Sequence, residues 1–486
     1  MLFSSVTFLI YFLPIAIIVY YIVPARFKNA VMLVESLFFY SWGEPIYIFL
    51  MLASILFNYI SGRIISNLQS SGNKFIRQVL FLNVFVNLAS LGFFKYADFA
   101  VQNVNAILGT NFSPLSLPLP LGISFYTFQA MSYIIDLYRG KVGVQKNFVN
   151  FAVYISMFPQ LIAGPIVRFK TVEEQLNTRI HSSELFATGA VRFVIGLSKK
   201  VILANNIGQI WTFINEQDVA YLSIMNVWIC ACAFALQIYF DFSGYSDMAI
   251  GLGKMFGFKF DENFKYPYIS GSITEFWRRW HISLGTWFKE YLYIPLGGNQ
   301  KGQKRQIFNI MAVWALTGLW HGASWNFAIW GIYFGVFLVL EKLFILRGLN
   351  ALKEASAILG AVVSHMYTCV VVVISWLIFS VTDTHRLIAM IKTMFASGGG
   401  NGAVPNPLFV NSDFYLLSSN IVILLVAIVA ATGLPTKVYV NMVENRVQKG
   451  GKQLEIYEII AVSILFVVSF AFTVASTYNP FLYFRF

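Results

Sequence analysis

Two of the five histidines in this 486-residue chain stand among neighbours suited to chemistry. His321 lies in "LTGLWHGASWNFAIWG", at the turn of an apolar hairpin near 306–344. An ionisable side chain in such surroundings is costly, which fits either a functional group or a buried histidine hydrogen-bonded to a carbonyl. Gly318 and Gly322, like Gly331 and Gly335, have the small-xxx-small spacing that lets helix backbones approach closely. His321 is therefore expected in a tight seam, with Trp320 and Asn326 as supporting neighbours.

His281 lies in "FWRRWHISLGTWFKEYLYIPLGG". Arg278 and Arg279 suit phosphate binding from the cytosolic side, and Trp277, Trp280 and Trp287 suit packing at the interface or around a ligand. The stretch also reads as an interfacial amphipathic helix held by anionic lipid. Asp241 and Asp247, in "LQIYFDFSGYSDMAIG", interrupt a segment otherwise apolar enough to span. They are expected to face the interior in ion pairs, with an arginine of the 278–279 pair as partner, in a structural role more than a catalytic one. His181, His365 and His385 read as structural or surface residues. A Walker A sequence, a G-x-S-x-G elbow, an H-E-x-x-H helix and a dinucleotide fingerprint are all missing. A buried histidine with cations nearby suits a general base for acyl transfer from a phosphate-bearing donor.

The elements that hold these residues belong to a membrane protein. Hydrophobic residues make up 58% of the chain and charged residues 12%, with apolar runs from end to end. Cys230, Cys232 and Cys369 lie in apolar segments with neither a disulfide framework nor metal spacing. The net charge of +12 is spread over short loops, as orientation in a bilayer requires, and forms no stripe for nucleic acid.

The first apolar run, about 6–23, lacks a basic leader and a cleavage site and reads as a retained span. Basic loops place the N-terminus outside and predict further spans near 30–43, 46–61, 78–94 and 119–137. "FPQLIAGPIVRFK" breaks the next region, which reads as re-entrant with a crossing near 185–208; such backbone is tolerated at membrane depth only when buried in protein or lining a cavity. A span near 221–251, a cytosolic or interfacial segment at 254–305, the 306–344 hairpin and spans near 356–380, 414–433 and 454–476 follow. The aromatic tail 477–486, with its "FLYFRF" motif, emerges outside. The expectation is a single-domain, all-α polytopic membrane protein of roughly 10 to 13 transmembrane or re-entrant helices. No internal repeat is visible, which weakens a transporter reading.

Five stretches in order, "LPLGISFYTFQAMSYIIDLYRG", "MFPQLIAGPIVRF", "YFDFSGYSDMAIGLGKMFGF", "FWRRWHISLGTWFKEYLYIPLGG" and "LTGLWHGASWNFAIWG", resemble the successive signatures of the membrane-bound O-acyltransferase family. The nearest branch is the bacterial one that includes the alginate O-acetylation membrane protein and its peptidoglycan counterpart. The resemblance implies a helical bundle around a funnel or tunnel, His321 as the catalytic histidine and His281 as its supporting partner. It implies cytosolic acetyl-CoA as donor, no bound cofactor, and an acceptor across the bacterial cytoplasmic membrane. It also suggests that Tyr483 carries the acyl group to an extracytoplasmic partner O-acyltransferase; an aromatic anchor at the interface is the other reading of that tyrosine. Two alternatives stay open: a D-alanyl or other acyl group drawn from a carrier protein, and a transporter or flippase without acyl chemistry.

Overall fold

The structure, a computed structural model, describes residues 1–162, 164–395, 406–448, 455–476 and 482. Among them all regular structure is helical. Seven helices are long and apolar enough to cross a membrane: Ile48–Ser70, Ile76–Leu108, Ile224–Met255, Trp325–Ala355, Ala357–Ser380, Asn411–Ala431 and Ile456–Ala475. The remaining expected crossings are shorter or more polar. Thr7–Ile22 is a shorter apolar helix, Lys28–Gly43 and Ile123–Tyr138 have 16 residues each, and the first limb of the hairpin, Gly302–His321, begins with a polar turn. The second limb does not end near 344 as expected. It continues through a π-helical turn, Glu341–Ile345, into Leu346–Ala355, so Arg347 and Lys353 lie on helix instead of in a loop.

The chain divides into two compact units. One comprises Met1–Leu197, Tyr245–Glu262 and Lys289–Tyr291. Its helices are tied by polar contacts: Asn58 donates to Asn87 at 3.1 Å, and Asn83 and Asn87 both donate to Asn58 at 3.0 Å. Between otherwise apolar helices such amides act as directional ties. The broken stretch falls here. Helix Phe148–Ser156 stops at Met157, a single turn Phe158–Leu161 follows, and the side chains from Phe151 to Ile162 are buried. Burial is what irregular backbone in such a chain needs. His181 meets the Tyr20 hydroxyl at 3.0 Å, as a structural histidine should.

The other unit comprises Ser198–Gly244, Asn263–Phe288 and Leu292–Phe486. An aromatic core runs through it, built by Phe234, Tyr239, Phe276, Trp280, Trp330, Trp376 and Phe379. The segment carrying His281 is no single amphipathic helix: Ile273–Arg279 and Ile282–Phe288 are separated by Trp280 and His281.

Candidate active site

His321 is the last residue of helix Gly302–His321, and Gly322 follows in extended backbone before helix Trp325–Leu340 begins. The two limbs pack along their glycines. A Cβ on Gly318 would collide with the Phe327 carbonyl, and one on Gly331 would collide with the Trp314 carbonyl and lie 2.9 Å from Gly318 Cα. The seam expected from the glycine spacing is therefore present, and only hydrogen in place of a side chain allows it. It brings His321 into a buried box of ring edges: Trp320 and Trp330 at 5.0 Å and Phe379 at 5.3 Å between centroids, all steeply inclined. Rings packed steeply on an imidazole restrict the rotation of its plane.

Asn326 supports this box through the backbone. It is fully buried, and its Nδ2 donates to the carbonyls of Ile378 at 3.3 Å and Phe379 at 2.9 Å. These carbonyls belong to the last turn of Ala357–Ser380, where helix carbonyls lack intrahelical partners. Asn326 thus satisfies them and sets the position of Phe379 against His321.

His281 is buried with φ 45°, a left-handed conformation rarely adopted by a residue with a Cβ and costing on the order of 1–3 kcal/mol. Neighbouring backbone over-determines it: Ile282 N–H donates to Asn263 O at 3.0 Å, and Lys265 N–H donates to Arg279 O at 2.9 Å. The Asn263 side chain fixes the ring. Its Oδ1 accepts the Ser283 N–H at 3.2 Å, so the atom facing His281 is an oxygen, and His281 Nδ1, 3.2 Å away, carries the proton it shares with that oxygen. In the neutral ring Nε2 then holds the lone pair. Burial pushes His281 down to about 3, so it is neutral at physiological pH. The Phe242 ring meets it edge-on at 4.7 Å, and Trp320 lies 6.2 Å away. Trp320 therefore neighbours both histidines, which the sequence placed forty positions apart.

The other expected site residues divide. Trp280 is buried in the aromatic core, against Phe276, Phe264 and Trp376. Arg279 is committed to Glu275 at 2.8 Å and to the Lys265 carbonyl at 3.1 Å, whereas Arg278 is exposed. Neither aspartate pairs with these arginines, contrary to expectation. Asp241 meets Lys200 Nζ at 2.6 Å, both fully buried, and Asp247 meets Arg192 at 2.8 Å. Each cation comes from an earlier helix, a long-range choice that spacing does not reveal. Lys200 stands in a π-helical turn, Lys199–Ala204; such turns often mark functional sites. Tyr483 lies outside the described residues. Lys200, Asn263 and Glu341 were missed. Glu341, fully buried, accepts the Thr274 N–H at 2.8 Å and the Ile273 N–H, and so caps the helix that leads to His281.

Known proteins are similar to this chain over most of its length. The profile of MBOAT, the membrane-bound O-acyltransferase family, matches residues 141–381, a range that includes both histidines. The chain is 43% identical over 411 residues to the probable alginate O-acetylase AlgI of Pseudomonas putida, across 82% of this chain and 81% of that protein. It is 34% identical over 431 residues to the peptidoglycan O-acetyltransferase of Helicobacter pylori, across 82% and 80%. It is 30% identical over 235 residues to the teichoic acid D-alanyltransferase of Bacillus subtilis, across 46% and 59%. With likeness of that extent, and with both buried histidines inside the matched range, the chain belongs to the membrane-bound O-acyltransferase family and is an acyltransferase.

Proposed function

We propose that this protein takes an acetyl group from cytosolic acetyl-CoA and supplies it, across the cytoplasmic membrane, for O-acetylation of a cell-surface polysaccharide by an extracytoplasmic partner transferase. The observation that carries this reading is the 43% identity to a probable alginate O-acetylase across most of both chains, and the burial of His321 supports its assignment as the base. Neutral His321 removes the proton of an attacking hydroxyl, whose oxygen adds to the thioester carbonyl. The carbon–sulfur bond then breaks, and the CoA thiolate leaves with the proton held by His321. His281, with its lone pair on Nε2, is a neutral hydrogen-bond acceptor that orients the reacting groups. Exposed Arg278 supplies charge for the donor's phosphates.

The attacking hydroxyl in this reading is the phenol of Tyr483. A phenolic ester is an activated donor, because a phenol with pKa about 10 is a better leaving group than a sugar hydroxyl. Onward transfer to the polymer is then downhill. Measuring polymer acetylation in cells that carry Tyr483→Phe tests the reading: loss at normal protein abundance supports the carrier, and wild-type acetylation removes it. A D-alanyl group on the polymer instead of acetyl would overturn the choice of donor.

A further inference from the structure

We propose that Asp241 is a positioning residue that holds Leu482, the residue before Tyr483, in the protein interior by accepting its backbone amide. Four observations meet at this carboxylate. Its Oδ1 lies 2.6 Å from Lys200 Nζ, and its Oδ2 accepts the Leu482 N–H at 2.9 Å. Lys200 also donates to Asn205 Oδ1 at 3.0 Å, which fixes the ammonium against the carboxylate. The Leu482 side chain is buried in the same aromatic cluster as Phe327, Trp330 and Phe379, which form and adjoin the walls around His321. Finally, helix Ile456–Ala475, which leads toward the tail, packs on the Lys199–Ala204 turn that presents Lys200.

The chemistry is that of a charge-assisted latch. A carboxylate in the middle of the long Ile224–Met255 helix is costly unless it is paired, and Lys200 pairs with it. The pair leaves one carboxylate oxygen for a backbone N–H, a stronger contact than one between neutral groups. A main-chain donor makes the latch indifferent to the side chain at 482, while burial of Leu482 selects an apolar one. The latch fixes the residue immediately before Tyr483 in sequence. Its consequence for catalysis rests on the reading of Tyr483 as acyl carrier, but the latch itself does not.

Two double variants separate the acceptor from the ion pair. Lys200→Met/Asp241→Asn removes both charges and keeps a carbonyl oxygen; Lys200→Met/Asp241→Leu removes the oxygen as well at similar volume. Hydrogen–deuterium exchange of the C-terminal peptide in the purified protein should show the Leu482 amide exchanging at least tenfold faster in the Leu pair than in the Asn pair. Polymer acetylation should fall at least tenfold only in the Leu pair. Leu482→Pro deletes the donor and leaves the ion pair intact, so it should reproduce the loss even if a double variant fails to accumulate. Equal amide exchange in the two pairs would overturn the latch, and wild-type acetylation with Leu482→Pro would overturn the role given to it in catalysis. Tyr483→Phe keeps the latch residues, so wild-type acetylation in that variant would end the carrier reading while the amide exchange still decides the latch.

Discussion

Among the described residues, the rings of Trp320, Trp330 and Phe379 pack steeply around the His321 imidazole at the end of a helix, a setting that fixes its orientation. His321→Ala should lower acyl transfer by about 10² to 10⁴, the usual contribution of a general base, with the protein still folded and inserted. Turnover of acetyl-CoA by the purified variant checks this. The two arginines should behave differently. Arg278→Gln is expected to raise KM for acetyl-CoA severalfold with little change in kcat, because phosphate contacts are made in ground and transition states alike. Arg279→Gln breaks the contacts to Glu275 and Lys265 and should lower stability instead, by about 1 kcal/mol. Steady-state kinetics beside thermal unfolding separates the two, and a KM effect confined to Arg279→Gln would reverse the assignment. His321 stood out in the sequence because an ionisable residue in an apolar run is conspicuous, and His281 because two arginines and three tryptophans surround it. The partners did not. Asn263 and Lys200 reach their places from 18 positions before His281 and 41 before Asp241, distances at which no periodicity links two residues.

Among the elements, the hairpin around His321 was the most legible, since glycines four positions apart have a direct steric meaning for packed helices. Gly331→Ala should push the limbs apart and cost about 1–3 kcal/mol, with activity falling in step as the box around His321 loosens. Asn326→Leu leaves two helix-end carbonyls without their donor and frees Phe379, so its activity should fall even where the protein accumulates normally. Thermal unfolding and specific activity of the two variants check both statements. Helix ends were less legible. The run past 344 stays helical because Leu, Ala, Lys and Glu are good helix formers, and charge alone does not end a helix. The split of the His281 segment into two short helices was likewise hidden, because it depends on a left-handed histidine that Asn263 and the Lys265–Arg279 contact hold from outside.

For the molecule as a whole, the end-to-end apolar runs were enough to point to an all-helical membrane protein, while the bounds of the spans depended on helix ends that hydropathy alone does not fix. One consequence reaches the entire fold. His281 is held neutral with a pKa of about 3 against 6.5 when exposed, so the unfolded chain binds a proton that the folded protein refuses. The stability this gives is fully present above about pH 6.5 and is lost as pH falls toward 3, by up to about 1.4 kcal/mol per pH unit. The apparent Tm of the purified protein should drop more steeply between pH 7 and 5 than that of His281→Gln; parallel slopes would contradict the assignment. The central claim, that buried His321 drives acyl transfer from acetyl-CoA, is tested most directly by giving purified wild-type protein and His321→Ala acetyl-labelled acetyl-CoA and measuring the rate of CoA release. The account predicts release by the wild type, and a rate at least a hundredfold lower in the folded variant. Equal release by the two proteins would contradict it.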